Sequence, residues 1–96
     1  MSRGPGKVQR RVLDLFAAKP DWMPDSIELA ARVFDKNPIS DSEHVSVRRA
    51  LRALVQSGVV VDMGRHWHDN RKRWCLPAKA RAYHARVEQA FGRGHQ

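Results

Sequence analysis

Three arginines, Arg48, Arg49 and Arg52, sit close together in VSVRRALRALVQSGVVV, Val45 to Val61, with Ser42 and Ser46 just ahead of them. A guanidinium is a planar fork that can place two parallel hydrogen bonds on a phosphate or on the edge of a base, and a hydroxyl can reach either. A second cationic group follows in GRHWHDNRK, Gly64 to Lys72, where Arg65, His66, His68, Arg71 and Lys72 surround Asp69-Asn70, and Arg73 comes next. His66-x-His68 places two imidazoles on one side of a strand, and a partner strand could bring Cys75 near them. No fourth ligand is evident, so the sequence predicts no metal. Cys75 with His44, His66 or His84 matches no nucleophile motif, and a lone cysteine in a strand is usually a small core residue. Neither paired carboxylates nor a glycine-rich phosphate loop occurs. The expectation is a protein that is not an enzyme, with no catalytic residue and no cofactor.

A helix must carry the first arginine group. At 100° per residue, Val47, Leu51, Leu54 and Val55 share one arc, the spacing of a buried stripe. Ser42, Val45, Ser46, Arg49, Ala53 and Gln56 fall on the opposite arc, with Arg48 and Arg52 on its flanks. Ser40 with Glu43 has the spacing of a capping box, although Asp41 or Ser42 could cap instead, and Gly58 supplies the stop. Taken alone, the same pattern describes a core helix with a solvated basic back. After Gly58 the period changes. Val59, Val61 and Met63 alternate with Val60 and Asp62, and Trp74 and Leu76 alternate against Arg73 and Cys75, so two strands are expected, joined across Gly64 to Lys72. Asp69-Asn70 suits the turn. The plainer reading of this hairpin is a charged edge that deters aggregation.

Upstream, Met1 to Gly6 reads as a flexible arm. A first helix is expected over Lys7 to Ala18, with Val8, Val12, Leu15 and Phe16 on one face and Pro20 beyond its end. Trp22 and Met23 should fold back onto the core. A second helix is expected over Ser26 to Phe34, with Asp25 and Glu28 in capping-box spacing and Ile27, Ala30, Val33 and Phe34 inward. Asp35 to Ser40 is a turn, because Asn37 precedes a proline. Pro77 closes the second strand. A fourth helix over Ala78 to Phe91 aligns Ala80, Tyr83, Val87, Ala90 and Phe91, a stripe that suits either its own first helix or a second copy of the chain. Residues 92–96 should fray.

The chain has 96 residues, a net charge of +8 and a pI near 10.8. That length holds one small core and little room for a separate effector domain or an ordinary catalytic pocket. The charge calls for a polyanionic partner, nucleic acid or an anionic surface. The longest apolar runs are far below the roughly 20 residues of a membrane span. MSRGPGKVQRR has no apolar stretch behind its basic residues, and the single cysteine suits a reducing compartment, so the expected location is the cytoplasm, close to the nucleoid. Arginine outnumbers lysine, which favours bidentate contacts.

The order helix, helix, turn, helix, basic hairpin is that of a winged helix-turn-helix domain. SIELAARVF, Ser26 to Phe34, followed by SVRRALRALVQSGVV, Ser46 to Val60, resembles the DNA-binding half of GntR-type bacterial regulators. The likeness covers about a third of the chain. It implies that the second segment is the recognition helix and the start of the wing. Two departures stand out: Asp35 to His44 is longer than the family's turn, and no ligand-binding domain is expected after the wing, so the resemblance carries over no effector response. The fold class expected is therefore mainly α with a small β-hairpin: a three-helix core, a two-stranded wing and a C-terminal helix. Residues 7–77 would form the domain and 78–91 the helix that packs on it or dimerises. The expected partner is double-stranded DNA, bound by a homodimer with no small-molecule effector. Ser42, Val45, Ser46, Arg48, Arg49 and Arg52 would act from the helix, and Arg65, His68, Arg71, Lys72 and Arg73 from the wing. A winged-helix protein-interaction module and an architectural or recombination accessory protein are the alternatives; RNA binding lacks a GXXG loop or an RNP-like strand.

Overall fold

The computed structural model describes residues 6–66 and 68–89. Its elements run α1 (Lys7–Ala18), α2 (Ser26–Phe34), α3 (Asp41–Gln56), β1 (Val61–Arg65), β2 (Lys72–Cys75) and α4 (Pro77–Val87). The fold is mainly helical with one two-stranded antiparallel sheet. Both α1 and α2 pack on α3, and the core gathers Val12 and Phe16 from α1, Leu29, Ala30 and Val33 from α2, and Val47, Leu51 and Leu54 from α3. Val60 and Trp74 close it from the hairpin side. Each large side chain so buried contributes about 1.5–3 kcal/mol. Trp22 folds back as expected, its ring 6.0 Å from that of Phe16 and flanked by Lys19 and Arg32.

Local signals set the helix limits. Asp25 and Glu28 form a reciprocal capping box at the start of α2, and Ser40 and Glu43 form another at the start of α3. Ser40, rather than Asp41 or Ser42, is the cap, so the connection before α3 ends at Ser40 and His44 already lies within the helix. At the far end, the Gly58 N–H donates to the Val55 carbonyl (3.0 Å) and the Val59 N–H to the Leu54 carbonyl (3.1 Å). This is the paired hydrogen bonding of a Schellman motif, and Gly58 supplies its left-handed residue at φ +83. A Cβ at Gly58 would meet nothing within 4 Å, so the effect of Gly58→Ala comes from backbone conformation alone. The expected loss is about 1 kcal/mol, a fall of several degrees in melting temperature. An unchanged melting curve would show that the turn does not need this conformation.

Four expectations are corrected. Ile27 is 50% exposed, and Leu29 takes its place in the core. On the helical wheel Val33 falls between Leu29 and Ala30, so the buried stripe spans about 100°, narrower than the roughly 120° of one reaching round to Ile27. Val59 is exposed and Val60 buried, because Val59 is spent on closing the α3 cap and β1 begins only at Val61. Leu76 is not in β2 but caps α4, and Pro77 opens that helix instead of closing the strand, since a proline at the first helical position gives up no hydrogen bond. The hairpin connection is also shorter than Gly64 to Lys72, as β1 runs on to Arg65. Gly64 at φ +74 allows this extension through a bulge, with Met63 as the extra residue between the Asp62↔Trp74 and Gly64↔Arg73 pairs.

Trp74 and Cys75 are adjacent and both buried, so both faces of the hairpin base are covered, and α4 packs on β1. Ala80 is the buried residue of α4, while Tyr83 and Val87 are partly exposed. The arm, Met1 to Gly6, is described only at Gly6, which is the N-cap of α1. Ala90, Phe91 and the tail over 92–96 lie outside the described residues.

Candidate nucleic-acid interface

The outward face of α3 is built by its inward one. Val47, Ala50, Leu51 and Leu54 are buried, and Val55 is only partly so. Replacing Val55 by Ala50 in the buried set turns the stripe, and with it the exposed pole. Arg49 and Arg52 then flank that pole about equally, roughly 30° to either side at 100° per residue. The expectation that Arg52 lies on a flank while Arg49 points furthest outward is corrected accordingly. Arg48, Arg49 and Arg52 are all exposed. None of the three makes an ion pair or hydrogen bond among the described residues. Ser42 is exposed, but the Ser46 hydroxyl donates to the Ser42 carbonyl (3.0 Å), leaving only its lone pairs for a ligand. The helix start is held by Glu43, whose carboxylate accepts the Ser40 N–H (2.8 Å) and pairs with Lys36 (3.2 Å). The Ser40 N–H, with Lys36, holds the Glu43 carboxyl below its ordinary pKa.

The hairpin is held against α2 by a network centred on Asp25, which is only 4% exposed. One carboxylate oxygen accepts the Glu28 N–H (2.8 Å) as the α2 cap, and the other accepts from the Arg71 guanidinium (2.8 Å). Burial pushes this carboxyl up, but the Glu28 N–H, the Arg71 hydrogen bond and charge, and the charge of Arg73 outweigh it and leave the pKa below the ordinary aspartate value. Arg73 donates to the Met23 carbonyl (3.0 Å), lies 3.7 Å from the Glu28 carboxylate and is paired with Asp69. The backbone joins in: Asp25 bridges to Arg73, and the Trp74 N–H donates to the Pro24 carbonyl (3.1 Å). The segment before α2 thus lies along β2 as a minimal third strand. Capping-box spacing pointed to Asp25 as a helix cap, but nothing local in the sequence marks it as the partner of Arg71.

These contacts divide the hairpin cations. The Arg73 side chain is 23% exposed and turned into the fold, whereas Arg71 at 56% and Lys72 at 48% reach solvent. Lys72 pairs with Asp62 (3.0 Å) and lies over the Trp74 ring, and Arg65 donates to the Asn70 carbonyl (2.9 Å). At the tip Asn70 has φ +58 and the Asp69 carboxylate accepts the Arg71 N–H (3.0 Å), the turn expected of this pair. The Arg71 N–H, with Arg73, lowers the Asp69 pKa. The His68 N–H donates to the His66 ring (3.1 Å). Cys75 pairs with Val61 at the opposite end of the hairpin, so the strand register separates it from both imidazoles. Burial raises the Cys75 thiol pKa, which disfavours the thiolate. No group of three His, Cys, Asp or Glu side chains able to hold a metal occurs among the described residues.

Between α3 and the hairpin run two neighbouring clefts. One, of about 190 Å³, lies between Arg48, Arg52 and Gln56 on one wall and Asp62, Lys72 and Trp74 on the other. The second, of about 280 Å³, brings Arg48 together with Arg65, Arg71 and Lys72 beside Ser26 and His44. Ser26 Oγ and His44 Nε2 are 2.7 Å apart and tie the start of α2 to the first turns of α3. The arrangement presents guanidinium and ammonium groups from two elements on one side of the molecule, suited to an extended polyanion. Among the described residues no helix is long and apolar enough to cross a membrane. Comparison of the chain with family models, with curated proteins and with solved structures gave no match.

Proposed function

We propose that this chain is a winged helix-turn-helix protein that binds double-stranded DNA with sequence preference, α3 entering the major groove and the β1–β2 hairpin following the backbone or the adjacent minor groove. The observation that supports the reading is the face of α3 opposite the core, where Arg48, Arg49 and Arg52 stand exposed without a carboxylate partner among the described residues. In a stable surface helix such charges are commonly interleaved with acidic residues. Beside them the hairpin is fixed by Asp25, so the two cationic elements keep one relative orientation. Helix, minimal strand, helix, helix and hairpin is the element order of a winged helix, and the likeness of Ser26 to Phe34 and Ser46 to Val60 to GntR-type regulators points the same way. The simplest mechanism is repression by occupying a promoter, in a small bacterial, phage or mobile-element regulator. A homodimer on an inverted repeat would double the contacts of a domain that alone reads few base pairs.

A gel-shift titration with random duplex DNA, single-stranded DNA and RNA at physiological salt tests the reading. The expected result is preferential duplex binding, and selection from a random library should then return a defined site, an inverted repeat if the protein is a dimer. Absence of duplex binding would leave the protein-interaction module as the better account.

The hairpin cations should separate by role. Arg65→Ala or Lys72→Ala is expected to weaken binding to all duplexes and to reduce the slope of log K against log salt by about 0.9 for each phosphate contact removed. Arg73→Ala should instead lower the melting temperature, because its guanidinium holds Met23, Glu28 and Asp69. Salt slopes unchanged in the first two variants would remove the hairpin from the contact surface.

A further inference from the structure

Of the two residues of α3 that point most directly away from the core, Val45 and Gln56, one is apolar. Val47, Ala50, Leu51 and Leu54 define the inward direction. At 100° per residue, Val45 then lies within about 10° of the opposite pole. It is 43% exposed and shares a shallow hollow with Arg48, Arg49 and Arg52. A single exposed valine is ordinary. This one, however, occupies the middle of a cationic face on a helix, where a β-branched residue lowers helix propensity and adds nothing to the core cluster. Its use must come from a surface that approaches that face.

In the major groove the pyrimidine methyl at C5 is the apolar group that a side chain can meet, carried by thymine or by 5-methylcytosine. Val45 and Arg49 are one turn apart, a rise of about 6 Å along the helix. Base pairs are stacked about 3.4 Å apart, so a guanine held by Arg49 and a methyl touched by Val45 would lie within one or two steps of each other. The stiff valine side chain loses little rotamer freedom on contact. Ser46 does not compete for the same edge as a donor, because its hydroxyl hydrogen is committed to the Ser42 carbonyl. We infer that Val45 and Arg49 form a pair that reads a 5-methylpyrimidine close to a guanine, a reading that rests on the DNA function proposed above.

The experiment uses the full chain and a duplex chosen from a randomised library by binding. In that duplex each thymine is replaced in turn by deoxyuridine, which removes only the methyl, and each A·T pair is replaced in turn by G·C and by G·5-methylcytosine. One position is expected to lose about threefold to fivefold in affinity without its methyl. At that position 5-methylcytosine restores affinity relative to cytosine if the methyl alone is read, whereas recovery with thymine only assigns the contact to the A·T pair together with its methyl. Val45→Ser, checked for an unchanged melting curve, should bind the thymine and deoxyuridine duplexes equally. Methyl sensitivity that persists in Val45→Ser, or wild-type binding indifferent to every replacement, overturns the inference while leaving the DNA reading in place. Failure to bind any duplex overturns both.

Discussion

Replacing Arg48, Arg49 and Arg52 together by alanine is expected to reduce affinity for a selected duplex by more than about a thousandfold while leaving the protein folded. A bidentate arginine contact to a base contributes about 1–3 kcal/mol of discrimination. Losing two such contacts and one phosphate contact therefore removes on the order of 4–6 kcal/mol, and each 1.4 kcal/mol is a factor of ten. The fold should tolerate the change because the three side chains are exposed and serve no ion pair among the described residues. Alanine is also the best helix former, and removing three clustered like charges relieves repulsion along α3. Fluorescence anisotropy on labelled duplex, with a melting curve beside it, gives both readouts. Wild-type affinity in a folded triple variant would exclude α3 as the binding face.

The single substitutions carry the finer information. Arg49→Ala should lose about 1–3 kcal/mol on the selected site and relax preference at one base pair, with a smaller loss on random duplex. Arg48→Ala should weaken all duplexes about equally, since Arg48 lies in both clefts between α3 and the hairpin, where phosphates would pass. Arg52 is placed as squarely outward as Arg49, so Arg52→Ala is expected to resemble Arg49→Ala and to relax a different base pair. Equal losses on selected and random duplex for both Arg49 and Arg52 would mean that neither reads sequence.

Where the fold was legible in the sequence, the signals were local. Asp25 with Glu28 and Ser40 with Glu43 sit three residues apart, within one helical turn, and their side chains close hydrogen bonds that depend on little else. Gly58 likewise marks the end of α3 by its own conformational freedom. Val59 shows the limit of pattern reading: its hydrophobicity fits a strand, yet it serves the cap, and the alternation of Val61 and Met63 against Asp62 holds only from Val61, where β1 begins. Ile27 failed for a related reason, because a nine-residue helix allows several apolar arcs and only packing against α1 and α3 selects among them. The anchoring of Arg71 and Arg73 lay furthest from view. Arg71 meets Asp25 across 46 residues of sequence and Arg73 meets Met23 across 50, and two arginines in a basic turn look alike whether they face a ligand or a buried carboxylate.

That buried carboxylate supplies the largest stability effect expected of a single polar residue here. Asp25→Ala removes the α2 cap, worth about 1 kcal/mol, and strips Arg71 of its partner. A fully buried pair broken in this way costs about 3–5 kcal/mol, but Arg71 is 56% exposed and can turn to water, so a total near 2–3 kcal/mol is the reasonable expectation. In a domain of this size that corresponds to a fall of roughly 10–20 °C in melting temperature. Asp25→Asn separates the two parts. Asparagine caps as well as aspartate, so only the charge is lost and a smaller fall, near 1 kcal/mol, should follow.

The pH dependence identifies the charge. With its folded pKa below the ordinary aspartate value, Asp25 stabilises the protein fully above the unfolded pKa of about 4, and the contribution is lost as pH falls through the folded value. The difference in melting temperature between wild type and Asp25→Asn should therefore be constant near neutrality and shrink toward zero on acidification. A gap that persists unchanged to low pH would assign the loss to packing or geometry. Because Asp25 also orients the hairpin, Asp25→Asn should weaken binding to random and selected duplex alike, leaving the choice of bases on α3 as it was.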